Sequence, residues 1–382
     1  MNQFDDIRPF NPDELPEVYD RLLANPQFQA VINYLYPQVP FGAIAQKMRA
    51  CKSTLEFQKT FCYPFLGQLL AKASTGCDMD VSHIDVSRRY TFVSNHRDIV
   101  LDSALLDKLL IDVGFSTTCE IAIGDNLLSL PWVKDLVRIN KSFIVQRNLP
   151  MRQMLLASKV LADYMHYAIA EKNENIWIAQ REGRAKDSDD RTQESVLKMM
   201  AMGGEGTPVD RLVQLHIVPL AISYEFDPCD YLKAAEFQLK RDVPGWKKSA
   251  HDDVVSMQTG IMGYKGRIHY YCAPCIDGWL QTLDPSMPKA ELFTAIAQYI
   301  DREIHRHYQL YPNNFVALDL LEGGNAHASH YSEEEKAAFL QYVESRIGKI
   351  EIPQKDEDFL HERILTMYAN PAKNYLAANQ SE

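Results

Sequence analysis

Nowhere in these 382 residues do about 18 apolar residues run together, the length a helix needs to cross a bilayer. A transmembrane helix is therefore not expected. Positive charge is also in short supply. Forty Lys and Arg against 51 Asp and Glu leave a net charge of −11, and a pI near 5.5 argues against nucleic acid as a partner. The opening Met-Asn-Gln-Phe-Asp-Asp is acidic and has no apolar core, so no signal peptide is expected. Cysteines are seven, at 51, 62, 77, 119, 229, 272 and 275; odd in number and scattered, they suit a reducing cytoplasm. Cys272-Ala-Pro-Cys275 has Cys-x-x-Cys spacing but no matching second pair, too little for a metal or redox centre. Internal repeats and low-complexity linkers are missing too. No Ser or Cys sits in a recognisable nucleophile elbow.

What remains is an ordinary globular composition, 46% hydrophobic and 24% charged, enough for one large core or two modest ones. Residues 1–85 read as a separate helical region. Glu17 to Tyr36 has helical character interrupted by Pro26, and Ile44, Met48, Cys51 and Leu55 form a stripe continued by Cys62, Phe65 and Leu69. Tyr34, Leu35, Tyr36, Val39 and Phe41, with Arg49 and Lys52 just beyond, form a candidate patch for lipid headgroups; packing of these helices on the main domain is the plainer reading. From residue 86 onward strands alternate with helices. Strands are expected at 90–93, 119–123, 142–146, 175–180, 213–223 and 267–273, with helices at about 101–112, 151–172 and 190–202. Near-continuous apolar strands separated by helices imply an α/β fold, a mostly parallel sheet flanked by helices. From about 287 to 382 a helical tail follows, with helices at 287–308, 332–347 and 355–369, the second opened by a Ser332-x-x-Glu335 capping box.

The chain is organised around Tyr90-Thr-Phe-Val-Ser-Asn-His-Arg-Asp-Ile-Val-Leu-Asp-Ser-Ala-Leu-Leu106. Residues 90–93 read as a buried strand and a helix starts near 99, so Ser94-Asn-His-Arg-Asp98 is a strand-to-helix turn. A histidine there sits at the carboxyl end of a strand, where α/β sheets bind ligands, and helix-start N–H groups favour developing negative charge. A nearby Asp can hold one imidazole nitrogen and leave the other as a general base. A solvated turn histidine is the plain alternative. His96-Arg97-Asp98 also matches part of the protein-kinase catalytic loop, but the required Asn five residues on is Ser103. A metal site from His96, Asp98 and Asp102 lacks a second ligand cluster, and no metal is expected.

Three further motifs end strands: Phe143-Ile-Val-Gln-Arg147, with Arg138, Lys141 and Arg152 nearby; Gln180-Arg-Glu-Gly-Arg-Ala-Lys186; and Val218-Pro-Leu-Ala-Ile-Ser-Tyr224. Each alone has a dull explanation, solvated basic residues or a proline at a bulge or edge. Together they describe a crevice with a base and several guanidinium groups, suited to a phosphorylated ligand.

The order of the four blocks resembles the glycerophospholipid acyltransferase family, which includes the glycerol-3-phosphate and 1-acylglycerol-3-phosphate acyltransferases. The resemblance spans roughly residues 88–226, and Gly124-Asp-Asn-Leu127 with Phe143 to Arg147 looks closer to the glycerol-3-phosphate branch. It implies transfer of a fatty acyl group from an acyl-CoA or acyl-carrier-protein thioester, the co-substrate, to a hydroxyl, with no resident cofactor. It implies His96 as the base, Asp102 as its orienter with Asp98 as fallback, and Arg147, Glu182, Gly183, Arg184 and Lys186 as the acceptor-phosphate site. Pro219 would shape the acyl and donor side. Five residues, rather than the family's usual four, separate His96 from Asp102, and the third block is one residue short between Gly183 and Arg184. The expected protein is a cytoplasmic enzyme resting on the inner face of the cell membrane, with helix-start donors stabilising the oxyanion. Its acceptor is glycerol-3-phosphate or a lysophospholipid. An amino-acid-headed lyso-lipid as acceptor, or a non-catalytic lipid- or acyl-binding relative, are the alternatives.

Overall fold

The computed structural model describes residues 3–128, 130–147 and 149–380. Its centre is a seven-stranded sheet of β1 (Gly76–Asp80), β2 (Thr91–Ser94), β3 (Cys119–Gly124), β4 (Ser142–Val145), β5 (Asn175–Ala179), β6 (Ile217–Tyr224) and β7 (Arg267–Cys272). The spatial order is β1-β7-β6-β2-β5-β3-β4. The block β6-β2-β5-β3-β4 is wholly parallel; β7 pairs antiparallel with β6 and parallel with β1, so the sheet is mostly parallel with a reversed pair at one side.

The strands form where apolar residues run on, because both faces are covered. In β2, Phe92 packs with the helices Tyr63–Ala73 and Leu101–Asp112, whereas Val93 packs with Met151–Ala170, Glu194–Met200 and Lys289–Arg306. β6 alternates likewise, Val218, Leu220 and Ile222 to one face and Ile217 and Ala221 to the other. Two further apolar clusters lie beside the sheet. One joins the N-terminal helices to Ile139; the other joins the helices Pro312–Glu322, Glu333–Ile347 and Glu357–Asn379 to Ala234.

Several expectations change in detail. Pro26 does not break a helix but begins one: Leu15–Leu23 ends, Asn25 accepts from the N–H groups of Gln27 and Phe28, and Pro26–Leu35 follows. The 1–85 region is helical only to Ala73. After it, β1 joins the sheet edge, a strand whose alternating Asp residues hid it from an apolar-run reading. β6 starts at Ile217 rather than 213, because Pro208–Val213 is a helix with a Thr207–Asp210 capping box. Pro219 lies inside a central strand, not at an edge. Its carbonyl accepts from Ala273 N–H at 3.0 Å, so its missing N–H faces the side where the β7 ladder has already ended. The helices Pro131–Ile139, Asp230–Asp242, Ala250–Met262 and Pro312–Glu322 were not anticipated, and the last helix continues through Pro371 to Asn379.

Phe92 is fully buried at the middle of the central strand. Phe92→Ala should cost about 3–5 kcal/mol of stability, read as a shift in the denaturant midpoint at unchanged slope; a loss under about 1 kcal/mol would contradict this packing.

Candidate active site

β2 is the strand from which the parallel block extends to both sides, and its carboxyl end opens into a cleft of about 1580 Å³. The turn after β2 is clamped before any chemistry is considered. Buried Asn95 donates from Nδ2 to Ile222 O at 2.9 Å and accepts from Ile222 N–H at 2.8 Å, fastening the turn to β6. On the other side Trp177 of β5 donates from Nε1 to Ser94 Oγ at 3.0 Å and meets the His96 ring edge-on at 5.6 Å.

His96 lines the cleft, and its Nδ1 lies 2.7 Å from Asp102 Oδ2. The same oxygen accepts from the backbone N–H groups of Arg97 at 2.6 Å and Asp98 at 3.1 Å. Because a carboxylate only accepts, this contact puts the proton on Nδ1 and leaves Nε2 as the free base. The five-residue spacing is accommodated outside the helix. Helical structure begins at Leu101, so the extra residue lengthens the turn and does not rotate Asp102 away. Asp98 faces elsewhere: its Oδ1 accepts from Val100 N–H at 2.9 Å and Leu101 N–H at 2.8 Å, capping the helix start. Burial, and then the nearby Asp102, raise the Asp98 pKa above the ordinary carboxylate range. Gly260 on Ala250–Met262 passes so close that a Cβ there would overlap Asp98 Oδ2. The N–H groups of Arg97, Asp98, Val100 and Leu101 are thus all engaged by the two aspartates. The expectation of a helix-start oxyanion hole does not extend to these four.

Under the turn lies a buried pair that the motifs did not single out. Arg97 stands 3.6 Å from Asp190 and over the Tyr308 ring at 5.7 Å; burial raises the Asp190 pKa, opposed by Arg97 and His96. Asp190 also accepts from the Ala185 N–H at 3.4 Å, which ties the loop after β5 to the histidine turn. Arg97 stood in the quoted turn and Asp190 four residues past Lys186, but only the fold brings them together.

Cations also line the cleft. Arg147, at the end of β4, lies against the backbone of Gly124, where a Cβ would come within 2.7 Å of its Nε, and pairs with Glu182 at 3.5 Å. Glu182 is 70% exposed, and Gly183 has the left-handed φ of +66° that the loop requires. Arg184 and Lys186 also line the cleft, joined by Lys240 and Lys248 from outside the quoted motifs. Lys186 pairs with Glu236; burial, then the neighbouring Lys240, Lys248 and Arg184, lower its pKa to about 7. Two expected neighbours are elsewhere. Lys141 is buried at the start of β4 against Glu174 at 2.7 Å, and Arg138 donates to the carbonyls of Arg8 and Asp5. Pro219 is a buried strand residue opposite Val93 and is not among the cleft-lining residues. It can act on the cleft only through the sheet.

A second, apolar cavity of about 330 Å³ lies between the N-terminal helices and Leu101–Asp112, sharing the walls Val100, Ala104, Val137 and Asn140 with the cleft. Among the described residues one group, His216, Cys275 and Asp277, brings metal-type donors within 4.8 Å. It stands at the opposite end of β6 from the cleft, where His216 already contacts Asp277 at 2.6 Å and Arg88 at 3.4 Å. Cys272 is buried in the sheet core, apart from this group.

Asp102→Asn should abolish turnover in a folded protein, because an amide at the Nδ1 position can favour the wrong tautomer. Asp98→Asn should keep most turnover and lose about 1 kcal/mol or less, since the amide oxygen can still cap the helix. Turnover and melting temperature of both variants check this; the reverse pattern would assign the wrong aspartate.

Comparison with known proteins falls on the same region. Residues 79–223 match the family model described as Acyltransferase. No curated relative matches the chain by sequence. Among solved structures, the 1-acyl-sn-glycerophosphate (LPA) acyltransferase PlsC from Thermotoga maritima is similar at a TM-score of 0.38 and 12% identity, over 78% of this chain and 97% of that one. The sequence match takes in β2 to β5, nearly all of β6 and the quoted side chains from His96 to Pro219, so the likeness to the acyltransferase family lies in residues 79–223.

Proposed function

We propose that this chain is an O-acyltransferase that moves a fatty acyl group from a coenzyme A or acyl-carrier-protein thioester to the hydroxyl of glycerol-3-phosphate or a lysophospholipid, working at the inner membrane face. The observation that carries the reading is the His96–Asp102 contact at 2.7 Å in a cleft that also holds Arg147, Arg184 and Lys186. That contact supports an enzyme over a non-catalytic lipid-binding relative. Among the described residues no helix is long and apolar enough to cross a membrane, which is compatible with a peripheral position.

In this mechanism His96 Nε2 takes the proton of the acceptor hydroxyl as its oxygen attacks the thioester carbonyl carbon. The tetrahedral intermediate collapses, the C–S bond breaks, and the proton passes from the imidazolium to the departing thiolate, leaving an ester and a free thiol. Asp102 stabilises the imidazolium between the two transfers. The clustered cations hold the acceptor phosphate, and a dianion arriving beside Lys186 favours its charged form. The apolar cavity that shares its walls with the cleft is the proposed seat of the acyl chain. A second reading has its own support. Exposed Glu182 beside Arg147 offers opposite charges 3.5 Å apart, which would also suit a zwitterionic, amino-acid-headed lyso-lipid.

His96→Ala should lower turnover by roughly 10²–10⁴ without loss of fold; wild-type turnover would sink the mechanism. Arg147→Ala and Arg184→Ala should mainly raise KM for a phosphorylated acceptor, and Gly124→Ala should do the same by displacing the Arg147 side chain. A panel of phosphorylated and amino-acid-headed acceptors with a radiolabelled thioester checks both; an unchanged KM in all three variants would mean that the acceptor carries no phosphate or is held elsewhere.

A further inference from the structure

The helix Met151–Ala170 is packed along only half its length. Its buried residues begin at Leu161, and before them Met151 is 91% exposed and Leu155 and Leu156 are each 63% exposed. Residues at positions i and i+4 share one helix face, so Met151 and Leu155 project together, while Leu156 stands about 100° round the helix, on the side of the cleft that it lines. The same ten residues carry Arg152 and Lys159 and no acid; the first acid on the helix is Asp163. Leu156 and exposed Leu130 also line the cleft, so the apolar face continues into its mouth. From Asn126 to Ala162 the chain has six Lys and Arg against the single Asp135; of the six, Lys141 is buried against Glu174, Arg138 donates to backbone carbonyls and Lys159 pairs with Asp163.

We propose that the first two and a half turns of this helix, together with Leu130, are the surface on which the protein rests against an anionic lipid bilayer, with the cleft opening directly onto the headgroups. This rests on the lipid-acylating reading above. An apolar helix face carrying cations and lacking acids suits the boundary between acyl chains and anionic headgroups. Long aliphatic side chains that protrude one by one suit a fluid phase, which needs no complementary pocket. The N-terminal patch expected from the sequence is a weaker candidate. Tyr34, Leu35 and Val39 are exposed, but Tyr36 and Phe41 pack against the N-terminal cluster, the helix Pro26–Leu35 has no charged residue and Arg49 is paired with Asp20.

The test is flotation of the full chain with vesicles of two parts phosphatidylcholine to one part phosphatidylglycerol, alongside pure phosphatidylcholine vesicles. The wild type should float with the anionic vesicles, and less so at high salt. Met151→Asp/Leu155→Asp, whose two positions do not line the cleft, should weaken partitioning about tenfold or more while melting temperature and turnover on a water-soluble, short-chain acceptor stay unchanged. A double variant that floats like the wild type overturns the proposal. So does a wild type that does not float, or loss of flotation in Tyr34→Asp alone. Light scattering that shows a wild-type dimer broken by the double variant also overturns it, since the face would then join two copies of the chain. Flotation needs no turnover. A protein that floats but transfers no acyl group leaves this surface standing and sinks the proposed function, whereas one that transfers without floating does the opposite.

Discussion

One buried carboxylate oxygen organises the site. Asp102 has no exposed surface, and its Oδ2 accepts from His96 Nδ1, Arg97 N–H and Asp98 N–H. A carboxylate taken out of water is costly unless its hydrogen bonds are replaced, so the turn is drawn around the oxygen and the imidazole is fixed with it. The neighbouring structure serves the same geometry. Asn95 fixes the turn to β6, Trp177 supports the ring from β5, and Asp98 starts the helix that carries Asp102. The helix Ala250–Met262 closes over Asp98 at a position where only glycine fits.

The cleft that His96 lines also gathers positive charge. The chain as a whole is acidic, yet Arg147, Arg184, Lys186, Lys240 and Lys248 converge on one cleft. Total charge describes solubility and long-range steering, whereas binding an anion depends on which cations point into one concave, partly desolvated space. Four of these five groups keep an acid nearby, Glu182 for Arg147, Glu236 for Lys186 and Lys240, and Asp253 for Lys248. These acids hold the cations in place around the cleft.

The same contrast runs through the fold. Strands such as β2, β3, β5 and β6 could be read from their apolar runs, because both faces of a covered sheet want the same residue types. β1 could not, since Asp78 and Asp80 alternate with Cys77 and Met79 at a sheet edge. The proline in β6 read as an edge or bulge marker, yet it sits in a central strand at the point where its neighbour's ladder stops. That depends on where β7 ends, some fifty residues later in the chain.

By itself the sequence determined what local chemistry controls: the strand-turn-helix around His96, the glycine loop after β5, the capping box at Ser332, and the block order behind the family likeness over residues 79–223. It could name two aspartates for one histidine but could not choose between them geometrically, because the choice turns on whether the helix begins before or after the extra residue. Only the tertiary structure decided that Asp102 meets the imidazole. It also decided that Lys141 is spent on Glu174 while Lys240 and Lys248 reach the cleft, and that Gly260 must be glycine. These outcomes join residues far apart in the chain, and no periodicity or spacing along a sequence encodes a distance of a few ångströms across a packed fold.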